Sequence, residues 1–268
     1  MDDKINNKKA QVTIFIIIGV LIVVAIILIF TLYREKPEII PGIQPKEPNQ
    51  NIAQCVNEQV EKISNLLVEN NFYSTPDPIL YKEFAYKDEI PFKKYPYLCF
   101  TPNTRARCII QEPVLMTHLE GEVYNLLGSK IEECFSNLKL DLENEGYAVE
   151  FDGGTNYSVQ MLPGAIKTEV KRKMRVTKSS SERDFEKYGS YVQSPLYDMA
   201  IATTEILYQE ARYCNSDYVL IMRQSPKIEI DKFQTGDDNK IYTVKDTKTE
   251  KLIRFAVRGC VLPTPKQF

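Results

Sequence analysis

The sequence predicts an α+β fold: a single N-terminal transmembrane helix, a proline-rich linker, and then helices packed on a largely antiparallel sheet. Three observations lead to this fold class. Residues 12–32 form an apolar run without charge, prolines recur through residues 33–51, and helical and strand periodicities alternate within residues 52–268. Such a succession of helices and short strands is typical of an α+β domain, and the last segment is long enough to bury a sizeable core.

The apolar run reads VTIFIIIGVLIVVAIILIFTL over residues 12–32. At ~1.5 Å per residue a helix of this length measures about 30 Å, the thickness of a bilayer's hydrocarbon core. The basic leader, residues 1–11, precedes this run and contains Lys8 and Lys9 close to its end. By the positive-inside rule the leader is cytoplasmic, so we expect a single-pass cell-membrane protein with an extracellular C-terminal domain. The lipid bilayer is its first expected partner.

The segment of residues 33–51 holds Pro37, Pro41, Pro45 and Pro48 at spacings of three to four residues. Proline fixes φ and removes an amide donor, so we expect an extended, semi-rigid spacer. Because this spacer breaks the membrane helix at Pro37, it favours a tethered domain over the shaft of a pilin.

Three helices are predicted from apolar residues at three- and four-residue spacing, over residues 52–70, over residues 115–145 and from Ser194 to about Cys214. In the third helix we expect Ser194 at the N-cap and Pro195 at the first helical position.

The predicted strands lie between and after these helices. Thr101-Pro102-Asn103 is the expected tip of a hairpin, residues 157–177 are extended, and residues 178–182 form a polar turn. Further strands are predicted over residues 218–223, 241–245 and 252–257, with a turn at Asp237-Asp238-Asn239.

All six cysteines follow residue 50, on the predicted outer side of the membrane, where disulfides form. Six cysteines allow fifteen pairings. Cys99 and Cys108 flank the predicted hairpin tip, and Cys214 with Cys260 would join a helix end to the last strand, which leaves Cys55 with Cys134. Free thiols stay open if the compartment is reducing. Structural zinc is not favoured, because the chain has no Cys-x-x-Cys and its only histidine is not at ligand spacing.

No residues suggest catalysis, a metal or a cofactor. His118, the one histidine, is expected to be a surface or capping residue, and no nucleophile elbow, phosphate loop, dinucleotide fingerprint or calcium loop occurs. The acidic residues 237–239 are more typical of a turn than of a calcium site. We therefore do not expect an enzyme, although an extracytoplasmic enzyme without a recognisable motif remains an alternative.

One basic cluster lies on the predicted strand of residues 167–178, where Lys171, Lys173 and Arg175 would share one face. This face could bind an anionic glycan or a nucleic acid, or it could be a solvated sheet surface. A nucleic-acid partner is not favoured, because the chain has 34 basic against 36 acidic side chains. Asn156 belongs to the chain's one Asn-x-Ser/Thr sequon and is a glycosylation candidate.

The junction Lys8-Lys9-Ala10-Gln11-Val12-Thr13 resembles the class III, type IV pilin-like signal of archaeal surface proteins. This resemblance implies cleavage between Ala10 and Gln11 by a prepilin-type peptidase, with Lys9 as part of the recognised basic pair. Phe15 stands where bacterial pilins usually have a glutamate, which puts a bacterial pilin in doubt.

The order of elements also resembles a group of uncharacterised archaeal membrane-anchored proteins with such signals. The residues behind this likeness are the helical stretch with Cys55, the stretch with Cys134, and Arg254-Phe255-Ala256-Val257-Arg258. The resemblance implies one extracytoplasmic domain with a structural or interaction role, with a pilin-like subunit as one form of it. Other surface proteins, or copies of the same chain, are its implied partners.

Overall fold

The computed structural model describes residue 23 and residues 48–86, 92–103 and 105–259. The chain divides into two units, Met1–Pro45 and Lys46–Phe268, and the fold below is that of the second. The predicted leader, the predicted membrane helix apart from Val23, and the linker before residue 48 lie outside the described residues. No helix within the described ranges is both long enough and apolar enough for a membrane span.

The described part of the chain contains helices α1 (Pro48–Glu69), α2 (Leu115–Asn144), α3 (Leu196–Tyr213) and α4 (Tyr218–Gln224). Helix α1 begins four residues before its predicted start, inside the predicted linker. Pro48 fits there because the first turn of a helix needs no amide donor from it. The predicted apolar stripes of α1 and α2 are confirmed, since Ile52, Val60, Leu119 and Ile131 are all fully buried.

The strands follow in chain order: β1 (Tyr81–Phe84), β2 (Lys93–Phe100), β3 (Ile109–Ile110), β4 (Ala148–Leu162), β5 (Ala165–Lys178), β6 (Ser181–Gln193), β7 (Ile228–Gln234), β8 (Asn239–Asp246) and β9 (Leu252–Arg258). The larger sheet has the order β1-β2-β9-β8-β7, with β3 paired to β2. Strands β2 and β9 run parallel and all other pairs are antiparallel, so this sheet is mixed. The last described strand, β9, lies at the centre of the sheet.

The smaller sheet is an antiparallel meander of order β4-β5-β6. The predicted extended stretch 157–177 is therefore two strands, joined at Gly164, whose φ of 72° suits a residue without Cβ. Two register shifts interrupt the meander, between Asp152 and Asn156 on β4 and between Lys171 and Met174 on β5. Strand β6 was not predicted, and it begins at Ser181, inside the predicted polar turn of residues 178–182.

The main core lies between the two sheets. Helices α1 and α3 each contact strands of both sheets, and α2 packs on α1 and β4. The α+β class is confirmed, but the helices form a layer between two sheets instead of covering a single one. A second apolar cluster lies apart from the main core and contains Tyr86, Tyr95, Tyr97, Ile241 and Ala256.

Two local predictions were wrong. Residues 218–223 form helix α4 and not a strand, because the Asp217 carboxylate caps the backbone N–H of Leu220 at 3.1 Å. In α3 the N-cap is Pro195, one residue later than predicted. Ser194 still satisfies a helix amide, since its Oγ accepts the Leu196 N–H at 3.2 Å, and it also lies 2.8 Å from Ser64 Oγ on α1.

Candidate functional site

Two of the three predicted disulfides are present in the described residues. Cys55–Cys134 joins α1 to α2 with a Cα–Cα distance of 5.9 Å, and Cys99–Cys108 closes the hairpin between β2 and β3 at 5.3 Å. Cys214 is also disulfide-bonded, while Cys260, its predicted partner, lies outside the described residues. The described part of the chain has no free thiol.

The basic strand predicted from the sequence is β5, and its side chains alternate as expected. Lys171, Lys173 and Arg175 are exposed, whereas Val170, which precedes them, and Met174 between the last two are buried. The predicted residues therefore share the outer face of the smaller sheet, which we call the outer face below. It is defined by the exposed side chains of β4, β5 and β6.

Neighbouring strands divide the basic residues into a paired and an unpaired group. The guanidinium of Arg175 contacts Glu182 at 2.7 Å and Asp184 at 3.1 Å. Lys171 lies opposite Lys187 on β6, and neither they nor Lys173 form an ion pair with any other described residue. Lys187 therefore joins Lys171 and Lys173 on this face, whereas the charge of Arg175 is neutralised by its two acidic neighbours.

A groove of about 550 Å³ opens next to the two register shifts of the smaller sheet. Four carboxylates and two cations line it: Glu150, Asp152, Asp184, Glu186, Lys173 and Arg175. The excess of negative charge makes the groove itself a poor site for an anion, so an anionic ligand would fit better on the side of Lys171 and Lys187.

Arg172 points away from the outer face, into the gap between β5 and α2. Its guanidinium lies 4.9 Å from the ring centre of Phe135 and 4.2 Å from that of Phe151, and its Nη1 contacts Glu132 at 2.6 Å. These contacts link the smaller sheet to α2, so the guanidinium of Arg172 is not available to a ligand.

His118 is half-buried at the start of α2. Its Nε2 lies 3.0 Å from the carbonyl oxygen of Phe72, its Nδ1 lies 3.7 Å from Glu112, and its ring packs edge-on against Tyr73. Burial, together with the nearby Glu112, raises the pKa of Tyr73 above its ordinary range. These contacts tie the end of α1 to α2.

Asp237 forms a turn between β7 and β8. The Thr235 hydroxyl and the Lys82 ammonium each donate to its carboxylate at 2.5 Å. The Lys82 contact, then Thr235 and Asn239, hold the pKa of Asp237 below its ordinary value. No group of three potential metal ligands occurs among the residues that the structure describes.

The remaining predicted site residues are the glycosylation candidate Asn156 and the predicted processing site. Asn156 is exposed on the outer face, opposite Lys171. Lys9, Ala10 and Gln11 of the predicted processing site lie outside the described residues.

A buried polar cluster at the end of α3 was not predicted. Glu210 is 1 % exposed and accepts hydrogen bonds from the Lys240 ammonium at 2.5 Å and from the Tyr242 hydroxyl. Lys240 also donates to the Cys214 carbonyl oxygen at 2.6 Å. The Lys232 ammonium lies 3.9 Å from Glu210.

Burial and nearby charges shift the pKa values of two residues in this cluster, Lys232 and Tyr242. Burial lowers the pKa of Lys232, and the nearby Lys240 adds to that effect while Glu210 opposes it. Burial and the charge of Glu210 raise the pKa of Tyr242 above its ordinary range. The sequence did contain one sign of the cluster, because Glu210 falls on the stripe of α3 that also holds Thr203 and Ile206.

In comparisons with protein-family models, with curated proteins and with solved structures, nothing matches this chain. Its function is therefore inferred from its own residues.

Proposed function

We propose that this chain is a membrane-anchored cell-surface protein whose extracytoplasmic domain has a structural or interaction role. The observation that carries this proposal is the Cys55–Cys134 bridge, which joins residues 79 positions apart. In addition, none of the described cysteines is a free thiol. Stable bridges of this kind form in oxidising compartments and are rare in the cytosol.

The anchor in this proposal is the apolar run of residues 12–32, with the basic leader inside the cell. A prepilin-type peptidase would remove the leader and leave the apolar helix on the mature chain. Pro37 separates this helix from the domain, which supports a tethered domain more than a filament shaft.

The outer face is the surface we propose for contact with other surface proteins or further copies of the chain. The opposite face of the smaller sheet is buried against α1 and α2, whereas the outer face has exposed charged side chains on all three strands. Strands β4 and β6 are both edges of this sheet. A partner strand could pair with such an edge, and charged side chains limit unspecific pairing there.

The test is the intact mass of the protein from its native membrane, with and without reduction. We expect the unreduced chain to be lighter by six hydrogens, one for each of its six cysteines, and to begin at Gln11. Six free thiols would place the domain in a reducing compartment and contradict the proposal. A chain that keeps residues 1–10 but holds its disulfides would contradict only the processing step.

A second candidate function is the binding of an anionic glycan at Lys171 and Lys187, with Lys173 next to them at the edge of the acidic groove. The specific observation in its favour is that no carboxylate of the described residues lies within ion-pair distance of these exposed lysines. A Lys171→Glu/Lys173→Glu variant should lose binding to a sulfated polysaccharide column, because the attraction becomes repulsion. Lys248→Glu, in an exposed turn, is the matched control. Equal retention of the double variant and the control would reject this function.

A further inference from the structure

We propose that the side-chain amine of Lys232 and the side-chain amide of Asn215 condense into an intramolecular amide bond, with Glu210 transferring the proton. Lys232 Nζ lies 2.5 Å from Asn215 Oδ1. Since a C=O bond measures about 1.23 Å, the amide carbon lies within about 3.7 Å of the amine. That separation is close to the distance at which reacting atoms meet in enzymes.

Lys232 has the environment that a nucleophilic amine needs. Its side chain is 15 % exposed, and in the register of the larger sheet it lies opposite Tyr242, whose ring is 5.8 Å from Nζ. Removal from water favours the neutral amine over the ammonium, and the positive charge of Lys240 favours it further. Only the neutral amine has the lone pair that attacks a carbonyl carbon.

Glu210 is placed to move the proton. Its Oε1 is 3.9 Å from Lys232 Nζ, and hydrogen bonds from Lys240 and Tyr242 hold its carboxylate in place. The amine has to come closer by about 1 Å, into hydrogen-bond reach, before the carboxylate can accept its proton and return it to the leaving group.

The reaction balances without an oxidant or a second reactant. The Lys232 ammonium gives one proton to Glu210, and the neutral Nζ then forms a bond to the amide carbon of Asn215. A second proton leaves Nζ as the carbon–Nδ2 bond breaks, and the departing nitrogen takes up both protons and leaves as ammonium. Asn215 is exposed, so the released ammonium passes directly into solvent.

The backbone around Asn215 holds the amide ready for attack. The preceding residue, Cys214, is disulfide-bonded, and its carbonyl oxygen is held by Lys240. On the other side, the Asp217 amide donates to the Gln209 side chain at 2.7 Å. With Asn215 held next to Lys232, an encounter in solution is replaced by a step within one molecule, which can raise the rate by many orders of magnitude.

The product would be a covalent link between the loop after α3 and strand β7. It would close a ring through the loop, α4 and the start of β7, next to the disulfide-bonded Cys214. This inference stands apart from the proposed cell-surface role, because the chemistry needs only the folded cluster.

The decisive experiment is a peptide map of the full-length native protein after reduction and tryptic digestion. We expect a branched peptide in which the segment with Asn215 is joined to the segment with Lys232, lighter by one ammonia than the two segments together. Trypsin should also fail to cut after Lys232. Two separate linear peptides, with cleavage after Lys232, would overturn the proposal. Intact mass alone is not sufficient, because an N-terminal Gln11 that cyclises also releases ammonia.

Variants assign the roles. Lys232→Met and Asn215→Ala each remove one reactant and should give linear chains, whereas Lys227→Met, an exposed lysine five residues earlier on the chain, should keep the branched peptide. Glu210→Gln keeps both reactants and should leave them unlinked. A branched peptide in Glu210→Gln would overturn the proton-transfer role. If that variant does not fold, Tyr242→Phe is the second test, because it removes the hydroxyl that holds Glu210 Oε1 in place. This variant should slow the appearance of the branched peptide after refolding, and an unchanged rate would contradict the role of the carboxylate.

Discussion

Replacing Cys55 and Cys134 together by alanine removes the bridge between α1 and α2, and the structure sets the size of the effect. The bridge spans 79 positions, so the unfolded chain gains the freedom of a long loop when it is lost. The chain-entropy relation gives about 4.5 kcal/mol of lost unfolding free energy for a loop of this length. The same relation gives about 2.7 kcal/mol for Cys99–Cys108, which spans 9 positions.

The two double variants form a matched pair, because each replaces two cysteines that lie in the main core or pack against it. Losses of local packing therefore largely cancel in the comparison, and the difference of about 1.8 kcal/mol reflects loop length. We would measure it by pulse proteolysis in urea on the full chain in detergent, reading the fraction of uncut domain at each urea concentration. Equal midpoints, or a larger loss for the short hairpin bridge, would refute the loop-entropy reasoning.

Three further predictions concern single side chains. In α2, Gly121→Ala meets open space and should raise the unfolding free energy by about 1 kcal/mol, whereas the Cβ in Gly128→Ala would lie 2.6 Å from a tyrosine hydroxyl and cancel that gain; urea melts compare the two. Arg172→Ala should lower the unfolding free energy by about 2 kcal/mol, because it loses two ring contacts and an ion pair. Lys171→Ala should change the unfolding free energy by less than about 0.5 kcal/mol. The folded pKa of Asp237 is lowered, so its stabilisation is complete above the unfolded pKa of about 3.9 and is lost as the pH falls through the folded pKa. The stability gap between wild type and Asp237→Asn should therefore be constant from pH ~5 to 7 and shrink below pH ~4, and a constant gap down to pH ~2 would contradict this.

The elements with one strong periodicity could be predicted from the sequence, and those held by tertiary contacts could not. Helix α2 has apolar residues at helical spacing over its full length, and its predicted and observed bounds differ by one residue. Residues 218–223 are a short apolar run, for which periodicity does not separate strand from helix, and only the cap at Asp217 favours the helix. Strand β6 was missed because its first half is almost entirely charged, which is unusual for a strand and reflects its position at a sheet edge.

The candidate site followed the same division. The shared face of Lys171 and Lys173 depends only on the two-residue period of a strand, and it was predicted correctly. That Lys187 joins them and that Arg175 is neutralised depends on the register between β5 and β6, which the sequence of one strand does not contain. Glu210 and Lys240 are 30 positions apart and meet only because α3 packs on β8.

The central position of β9 in the larger sheet has a consequence for biosynthesis. Strands β2 and β8 have their shared neighbour only once Leu252–Arg258 has been synthesised and, in the topology proposed above, has crossed the membrane. Until then both strands expose unpaired edges, so the larger sheet is exposed to wrong pairing until the end of synthesis. A message truncated before codon 252 would yield a chain with two open sheet edges, and such a product would be prone to aggregation and proteolysis and would not be a smaller working domain.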